Sequence, residues 1–304
     1  MIKQFNTLME MMEAFPDEQS AVDHLRAIRW KNGAYCPDCG SDKVYHFSDN
    51  RTHKCGACRK RFSIKVGTVF EDSKLPLRKW FMAIWLITSH KKGIASTQLA
   101  KDIGVTQKSA WFMLHRLRHA AQTRSFNRPL QGEVEADETY IGGKEKNKHA
   151  WQRTGGKQGG KGKTAVLGVL ERRGELRTGI TPNMSARTVQ TVIRENVAPG
   201  ANLMTDEHGS FVGLDRDYNH HRVNHSKGEY VRHFVLHSNG IESVWALFKR
   251  QIVGTHHYLS PKHLFRYLGE MTWRFNLREM DEGDRMNALI GQTNGRLRYK
   301  ELIA

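Results

Sequence analysis

The sequence predicts a multidomain protein: a small cysteine ribbon and a helix-turn-helix toward the N-terminus, then an α/β domain with a mixed sheet flanked by helices. Three observations carry this reading. All four cysteines fall in two Cys-x-x-Cys pairs between Cys36 and Cys58. Residues 96–118 read as two short helices broken at Gly104. Beyond residue 131, short apolar runs alternate with turn signals, as in α/β domains.

The elements follow in order. Residues 1–35 form a helical lead-in, with Ala21, Val22, Leu25 and Ile28 at roughly helical spacing before Asn32-Gly33 breaks the pattern. The ribbon occupies 36–74. A helical region spans 75–123; Pro76 suits a first turn, and Leu77, Trp80, Phe81, Ile84 and Trp85 give its first helix a strongly apolar face. The basic, proline-containing stretch 124–131 reads as a linker. The α/β domain takes 132–280, with strands at 132–141, 164–171, 175–181, 201–206 and 220–225. Its helices lie at 185–197, 239–252 and 261–278, and Ser185 and Ser260 suit their N-caps. Residues 281–304 remain as a C-terminal tail.

Composition bounds the function. A chain of 304 residues with 38% hydrophobic and 26% charged residues is neither a disordered tail, a collagen nor a membrane bundle. The 48 Lys and Arg against 31 Asp and Glu leave a net charge of +17, which points to a polyanionic partner, most commonly nucleic acid. The apolar run Trp80–Ile87 is far short of the roughly 20 residues that cross a bilayer, and the opening residues carry no signal-peptide pattern. No membrane association and a cytoplasmic, nucleoid-associated location are therefore expected.

In a reducing compartment two Cys-x-x-Cys pairs separated by 15 residues make a four-thiolate metal clip. Cys36, Cys39, Cys55 and Cys58 suit a closed, structural Zn²⁺ site, whose binding supplies about 10 to 16 kcal/mol to a segment without a core of its own. Free or redox-active thiols are the competing reading. Lys54, Arg59 and Lys60 beside the second pair favour contact with DNA, or else line a solvated face.

In the helix pair, Thr106 suits the cap of the second helix. Leu99, Ala100, Ile103, Val105, Ala110, Met113 and Leu114 suit a small core, which leaves Gln107, Lys108 and Arg116 for a groove or backbone. An ordinary helical hairpin is the plainer alternative. The loop 142–163 holds seven Lys or Arg, among them Lys144, Lys146, Lys157, Lys161 and Lys163. Either it is simply solvated or its lysines replace the counterions of a phosphate backbone.

Carboxylates supply the chemistry. In Glu133-Val-Glu-Ala-Asp137, strand alternation puts Glu133, Glu135 and Asp137 on one face. A partly buried cluster of this kind needs protons, cations or solvent, and a divalent metal relieves it; an exposed strand face is the alternative. Asp206 falls where a strand gives way to a turn, the usual ligand position in open α/β sheets, although Asp before Gly also simply forms turns. Asn239 and Glu242 open an amphipathic helix, where they fit either a capping box or the completion of a metal site.

Together CPDCG with CGAC, GTVFEDSKLPLRKWF, EADETYIGG, TDEHGSF, HSNGIESVWALFKR and HLFRYLGEMTWRFNLR resemble the zinc-ribbon DDE transposases of bacterial insertion sequences, over nearly the whole chain. The resemblance implies a ribonuclease-H-like catalytic domain with Asp137, Asp206 and Glu242 as an acidic triad holding Mg²⁺ (or Mn²⁺), and Asn239 in the extra Asn position of the subgroup. It further implies double-stranded DNA as partner, both terminal inverted repeats and target, and pairing of ends by a homodimer or higher synaptic assembly. The run His220, His221, His225, His233 and His237 departs from the broader pattern. His237 stands near enough in sequence to the Asn to approach a scissile phosphate; the others suit the surface, with a second metal site as the alternative. Two other functions compete with transposition: a non-catalytic zinc-ribbon DNA-binding regulator, and a ribonuclease-H-like nuclease without strand transfer.

Overall fold

The computed structural model describes residues 2–121, 128–143, 149–152, 162–223 and 238–304. The chain divides into two compact units, one of Met1–Gln122 with Leu277–Ala304, the other of Thr123–Asn276. Among the described residues no helix is long and apolar enough to cross a membrane.

The first unit opens with α1 (Leu8–Ala14) and α2 (Glu18–Arg29). Asp17 caps α2 by accepting from the Ser20 N–H at 2.8 Å, and the helix buries Val22 and Leu25. Strands β1 (Val44–His46), β2 (Thr52–Cys55) and β3 (Arg61–Ser63) form an antiparallel sheet. Its core is only Cys36, Cys55 and Phe62, with Trp30, Val44, Cys58 and Val66 packed against it. So little apolar area calls for a covalent or metal staple.

Next comes α3 (Leu77–Ser89), whose N-cap position is Pro76 and offers no side-chain acceptor. Glu18 of α2 supplies one, accepting from the N–H groups of Leu77 and Arg78 at 2.8 and 3.1 Å. Helices α4 (Ser96–Ile103) and α5 (Gln107–Ala120) are joined through Gly104, whose φ of 60° is the left-handed conformation that glycine adopts without penalty. Thr106 caps α5 by accepting from the Ser109 N–H at 3.2 Å. Leu99, Ala100, Ile103, Ala110, Met113 and Leu114 are buried.

The second unit holds β4 (Glu133–Ile141), β5 (Thr164–Glu171), β6 (Leu176–Thr181), α6 (Ala186–Asn196), β7 (Asn202–Thr205), β8 (Asn219–Arg222), α7 (Asn239–Gln251) and α8 (Leu264–Asn276). The sheet order is β6-β5-β4-β7-β8. β4, β5 and β6 pair antiparallel, whereas β7 runs parallel to both β4 and β8. Positions 224 and 225 of the strand expected at 220–225 lie outside the described residues. Ser185 caps α6 by accepting from the Thr188 N–H. Ser260 makes no side-chain cap bond, and a 3₁₀ turn, Pro261–His263, precedes α8.

Alternation along the strands builds two cores. Val134 and Ala136 of β4 with Leu167 and Val169 of β5 pack against Val189 and Ile193 of α6. Val166 and Leu170 pack on the other face against Ile241, Val244, Trp245 and Phe248 of α7 and Leu268 and Met271 of α8. Gly168, paired with Asp137 across the ladder, makes this second interface close: a Cβ there would stand 2.5 Å from the Trp245 ring.

Past Leu277, where a tail was expected over 281–304, the chain folds as α9 (Glu282–Gly291) and α10 (Tyr299–Ile303) and groups with the first unit. Met286, Leu289 and Ile290 form a short stripe at i, i+3 and i+4, and all three are buried. Arg285 anchors α9 by donating to the Thr88 carbonyl at 3.1 Å.

Gly168→Ala should lower stability by about 1–3 kcal/mol, because the added methyl overpacks a fixed indole. Urea denaturation measures this, and an unchanged midpoint would contradict the close seating of Trp245.

Candidate active site and thiolate cluster

Asp137 and Glu138 stand at the middle of β4, and Asp206 directly follows β7. Parallel pairing sets Glu133 beside Asn202 and Glu135 beside Met204. Carried two residues further, the same register brings Asp137 to Asp206, where β7 has ended. One carboxylate oxygen from each of Asp137, Glu138 and Asp206 lies within 4.8 Å of the others.

Alternation sends Asp137 and Glu138 to opposite faces, so periodicity in the sequence gives Glu138 no part in the site. The two meet because β7 pairs with β4 only as far as Glu135, leaving an edge round which both side chains reach. No periodic signal in the sequence singles out Glu138; only the structural end of the β4–β7 pairing shows its place beside Asp137.

Burial, then the charges of Glu138, Asp206 and Glu242, push the Asp137 carboxyl up to about 7. Burial and the charge of Asp206 also push Glu138 up. Glu138 Oε2 is buried with no hydrogen-bond partner, and among the described residues no Lys or Arg pairs with Asp137, Glu138 or Asp206. A set of oxygen donors short of positive charge, one of them orphaned, fits a hard divalent cation.

The other two carboxylates of the β4 face are used differently. Glu135 is fully buried, with Arg172 Nε donating to Oε1 at 2.7 Å and the Ile241 N–H donating to Oε2 at 2.8 Å. Arg172 also donates to Glu133 at 3.1 Å.

At the start of α7 the N-cap is Ser238, not Asn239. Asn239 is the first helical residue and exposed. The Ser238 hydroxyl donates to Glu242 Oε1 at 3.0 Å, so Asn239 and Glu242 do not form the capping box that their spacing allows. Glu242 stands outside the three-carboxylate group but near enough for its charge to raise Asp137. His225, His233 and His237 lie outside the described residues. His220 is half-buried, with Nε2 2.8 Å from Thr205 Oγ1, and burial pushes its imidazole down to about 4.

The four cysteines converge in the first unit. Cys36 and Cys58 sulfurs are 3.7 Å apart, Cys39 and Cys55 3.5 Å, and all four lie within 4.8 Å of one another. These separations far exceed a disulfide bond of about 2.05 Å. They suit the edges of a tetrahedron round zinc, about 3.8 Å for Zn–S bonds of about 2.3 Å. The Cys58 N–H donates to Cys55 Sγ at 3.4 Å, the main cause that holds the Cys55 thiol down to about 6.

The basic residues expected at DNA fare unequally. Arg59 and Lys60 are exposed beside the second cysteine pair, with Lys60 paired to Asp38 at 2.7 Å, and Lys54 is half-buried in β2. Gln107 and Lys108 are exposed in the first turn of α5, where Gln107 donates to Ser96 Oγ at 2.9 Å. Arg116 does not face outward: it is buried and donates to the carbonyls of Val69, Glu71 and Leu297. Lying three residues after Met113, it falls on the buried stripe of α5, where its fork satisfies loop carbonyls. Lys144, Lys146, Lys157 and Lys161 lie outside the described residues; Lys163 is half-buried just before β5.

The family model for the ISXO2-like transposase domain matches residues 129–276, and that for the transposase zinc-ribbon domain matches residues 16–61. An uncharacterized protein in the transposable element ISH50 of Halobacterium salinarum is 30% identical over 276 residues, 86% of this chain and 91% of that protein. An uncharacterized transposase-like protein of Haemophilus influenzae is 34% identical over 104 residues, 34% of this chain and 82% of that protein. The chain belongs to the ISXO2-like, zinc-ribbon transposase family. Among solved structures, the Mos1 transposase of a pre-cleavage transpososome overlaps 75% of this chain and 82% of its own at 12% identity. Its TM-score of 0.25 is too low to bear on the fold.

Two outcomes follow from the site's electrostatics and sulfur geometry. The folded-state pKa of Asp137 stands above the unfolded value of about 3.9, so without a divalent cation its ionisation costs stability from about pH 4, in full above about pH 7. In Mg²⁺-free buffer Asp137→Asn should therefore raise the melting temperature at pH 8 and leave it unchanged at pH 4; no gain at pH 8 would contradict the buried charge. Elemental analysis should find zinc in the parent protein and lose it in Cys39→Ser, which should also melt at lower temperature; full zinc retention by the variant would contradict four-thiolate ligation.

Proposed function

We propose that this chain is a DNA transposase whose second unit cuts and joins DNA strands and whose first unit recognises element ends. The observation that carries the reading is the carboxylate group of Asp137, Glu138 and Asp206 at an open strand edge, with Glu242 close by on α7. The order β6-β5-β4-β7-β8, three antiparallel strands followed by two parallel ones, supports a ribonuclease-H-like assignment. The helix pair α4–α5 with its Gly104 turn supports a helix-turn-helix, and the ribbon's exposed Arg59 and Lys60 support contact with phosphates.

Asp137, Asp206 and Glu242, joined by Glu138, would hold Mg²⁺ or Mn²⁺. Bound there, a pair of such ions supplies activation of the attacking oxygen and neutralisation of the departing 3′ oxygen in an in-line displacement at phosphorus. The chain's own residues position the reactants. The carboxylates fix where the phosphodiester sits, and Asn239, exposed at the start of α7, presents an amide to its non-bridging oxygens. The same site serves twice, first with water as nucleophile and then with the freed 3′ hydroxyl attacking target DNA, and no covalent enzyme intermediate is needed. Lys54, Gln107, Lys108 and the lysines of 142–163 add sequence-independent or end-specific contacts. Joining two ends requires at least a homodimer. The work is done in the cytoplasm, on the nucleoid.

Incubation of the protein with Mg²⁺ or Mn²⁺, inverted-repeat oligonucleotides and a target plasmid should give joined products. Asp137→Asn should bind the ends as well as the parent and join nothing. Joining by that variant would contradict its role. Cleavage without joining by the parent would instead indicate a nuclease, and binding alone a regulator.

A further inference from the structure

We infer that Glu135 is a positioning residue for the carboxylate site, tying the strand that carries Asp137 to the first turn of the helix that carries Glu242. The inference rests on the metal-dependent reading above and deepens it. Asp137 follows Glu135 by two residues on the same strand face, and Ile241, whose N–H donates to Glu135 Oε2 at 2.8 Å, immediately precedes Glu242. One carboxylate thus touches both elements whose separation the site depends on.

The contact supplies what α7 lacks. Ser238 makes no side-chain cap bond to the helix backbone; its hydroxyl goes to Glu242 instead. A carboxylate on the free N–H groups of a first turn satisfies an orphan donor and complements the positive end of the helix dipole. Arg172, in the turn after β5, orients Glu135 by donating to Oε1 at 2.7 Å and neutralises its buried charge. Gly240 permits the approach: a Cβ there would stand 2.7 Å from Glu135 Oε2. With one oxygen on Arg172 and the other on the α7 backbone, Glu135 sets the spacing of the cation-binding carboxylates without itself ligating a cation.

The test is Mn²⁺ titration of the zinc-loaded full-length protein, followed by electron paramagnetic resonance, with end binding, end cleavage and melting temperature measured alongside. Glu135→Gln keeps an acceptor for the Ile241 N–H but removes the charge facing Arg172; Gly240→Ala sets a methyl against Glu135 Oε2 and forces β4 and α7 apart while removing no carboxylate. Both should bind ends normally and raise the Mn²⁺ concentration for half-saturation by about ten-fold or more, with cleavage recovered at high Mn²⁺. A fall in melting temperature with unchanged Mn²⁺ half-saturation of the folded protein would reduce Glu135 to a structural role and overturn the inference. If Glu135→Gln does not fold, Gly240→Ala and Arg172→Lys decide by the same readout. Parent protein that takes up no Mn²⁺ overturns the metal-dependent reading and this inference with it; parent uptake with unchanged variants overturns the inference alone.

Discussion

Carboxylates brought within a few ångströms of one another repel, and the second unit is organised to hold Asp137, Glu138 and Asp206 together against that force. At an effective dielectric of 20, two unit charges 4 Å apart repel by about 4 kcal/mol. Strand pairing provides the resistance. The β4–β7 register fixes Asp206 beside Asp137, and the early end of β7 opens the edge that Glu138 shares. Gly168 then lets the Trp245 ring settle on β5 beside Asp137, which brings α7 and Glu242 close. What remains is a negative site with an orphaned buried oxygen and, among the described residues, no Lys or Arg paired to it, an arrangement that a bound cation would relieve.

The first unit solves a different problem. Its ribbon has too small a core to fold by apolar burial, so four sulfurs at tetrahedral spacing stand in for one. The helices around it are stitched by contacts distant in sequence: Glu18 caps α3, and Arg116 gathers three carbonyls from two loops. Gln107 and Lys108, at the start of α5, stay exposed, Gln107 donating to Ser96 and Lys108 lying over the Tyr299 ring.

Much of this was legible in the sequence, for physical reasons that differ by element. The thiolate spacing and the Gly104 turn are local signals, set by residues a few positions apart. The two faces of β4 follow from alternation, and Asp206 from the end of an apolar run. Alternation describes the faces of a strand but not its edge, which hides Glu138. Nor does it tell a carboxylate that ligates from one that caps a distant helix, as Glu135 does. Of the two alternatives for Asn239 and Glu242, the capping box is absent: their spacing allows it, but the N-cap is Ser238 and the helix takes its acceptor from β4. Arg116 and the helices beyond residue 281 share a cause: each depends on a tertiary partner that no short window contains.

The central claim is that the strand-edge carboxylates form one cation site. Anomalous diffraction at the manganese edge from crystals soaked in Mn²⁺ tests it most directly. The account predicts a peak within coordination distance of both Asp137 and Asp206. Density for well-ordered carboxylates with no such peak at saturating Mn²⁺, or with a lysine or arginine seated among them, would contradict it.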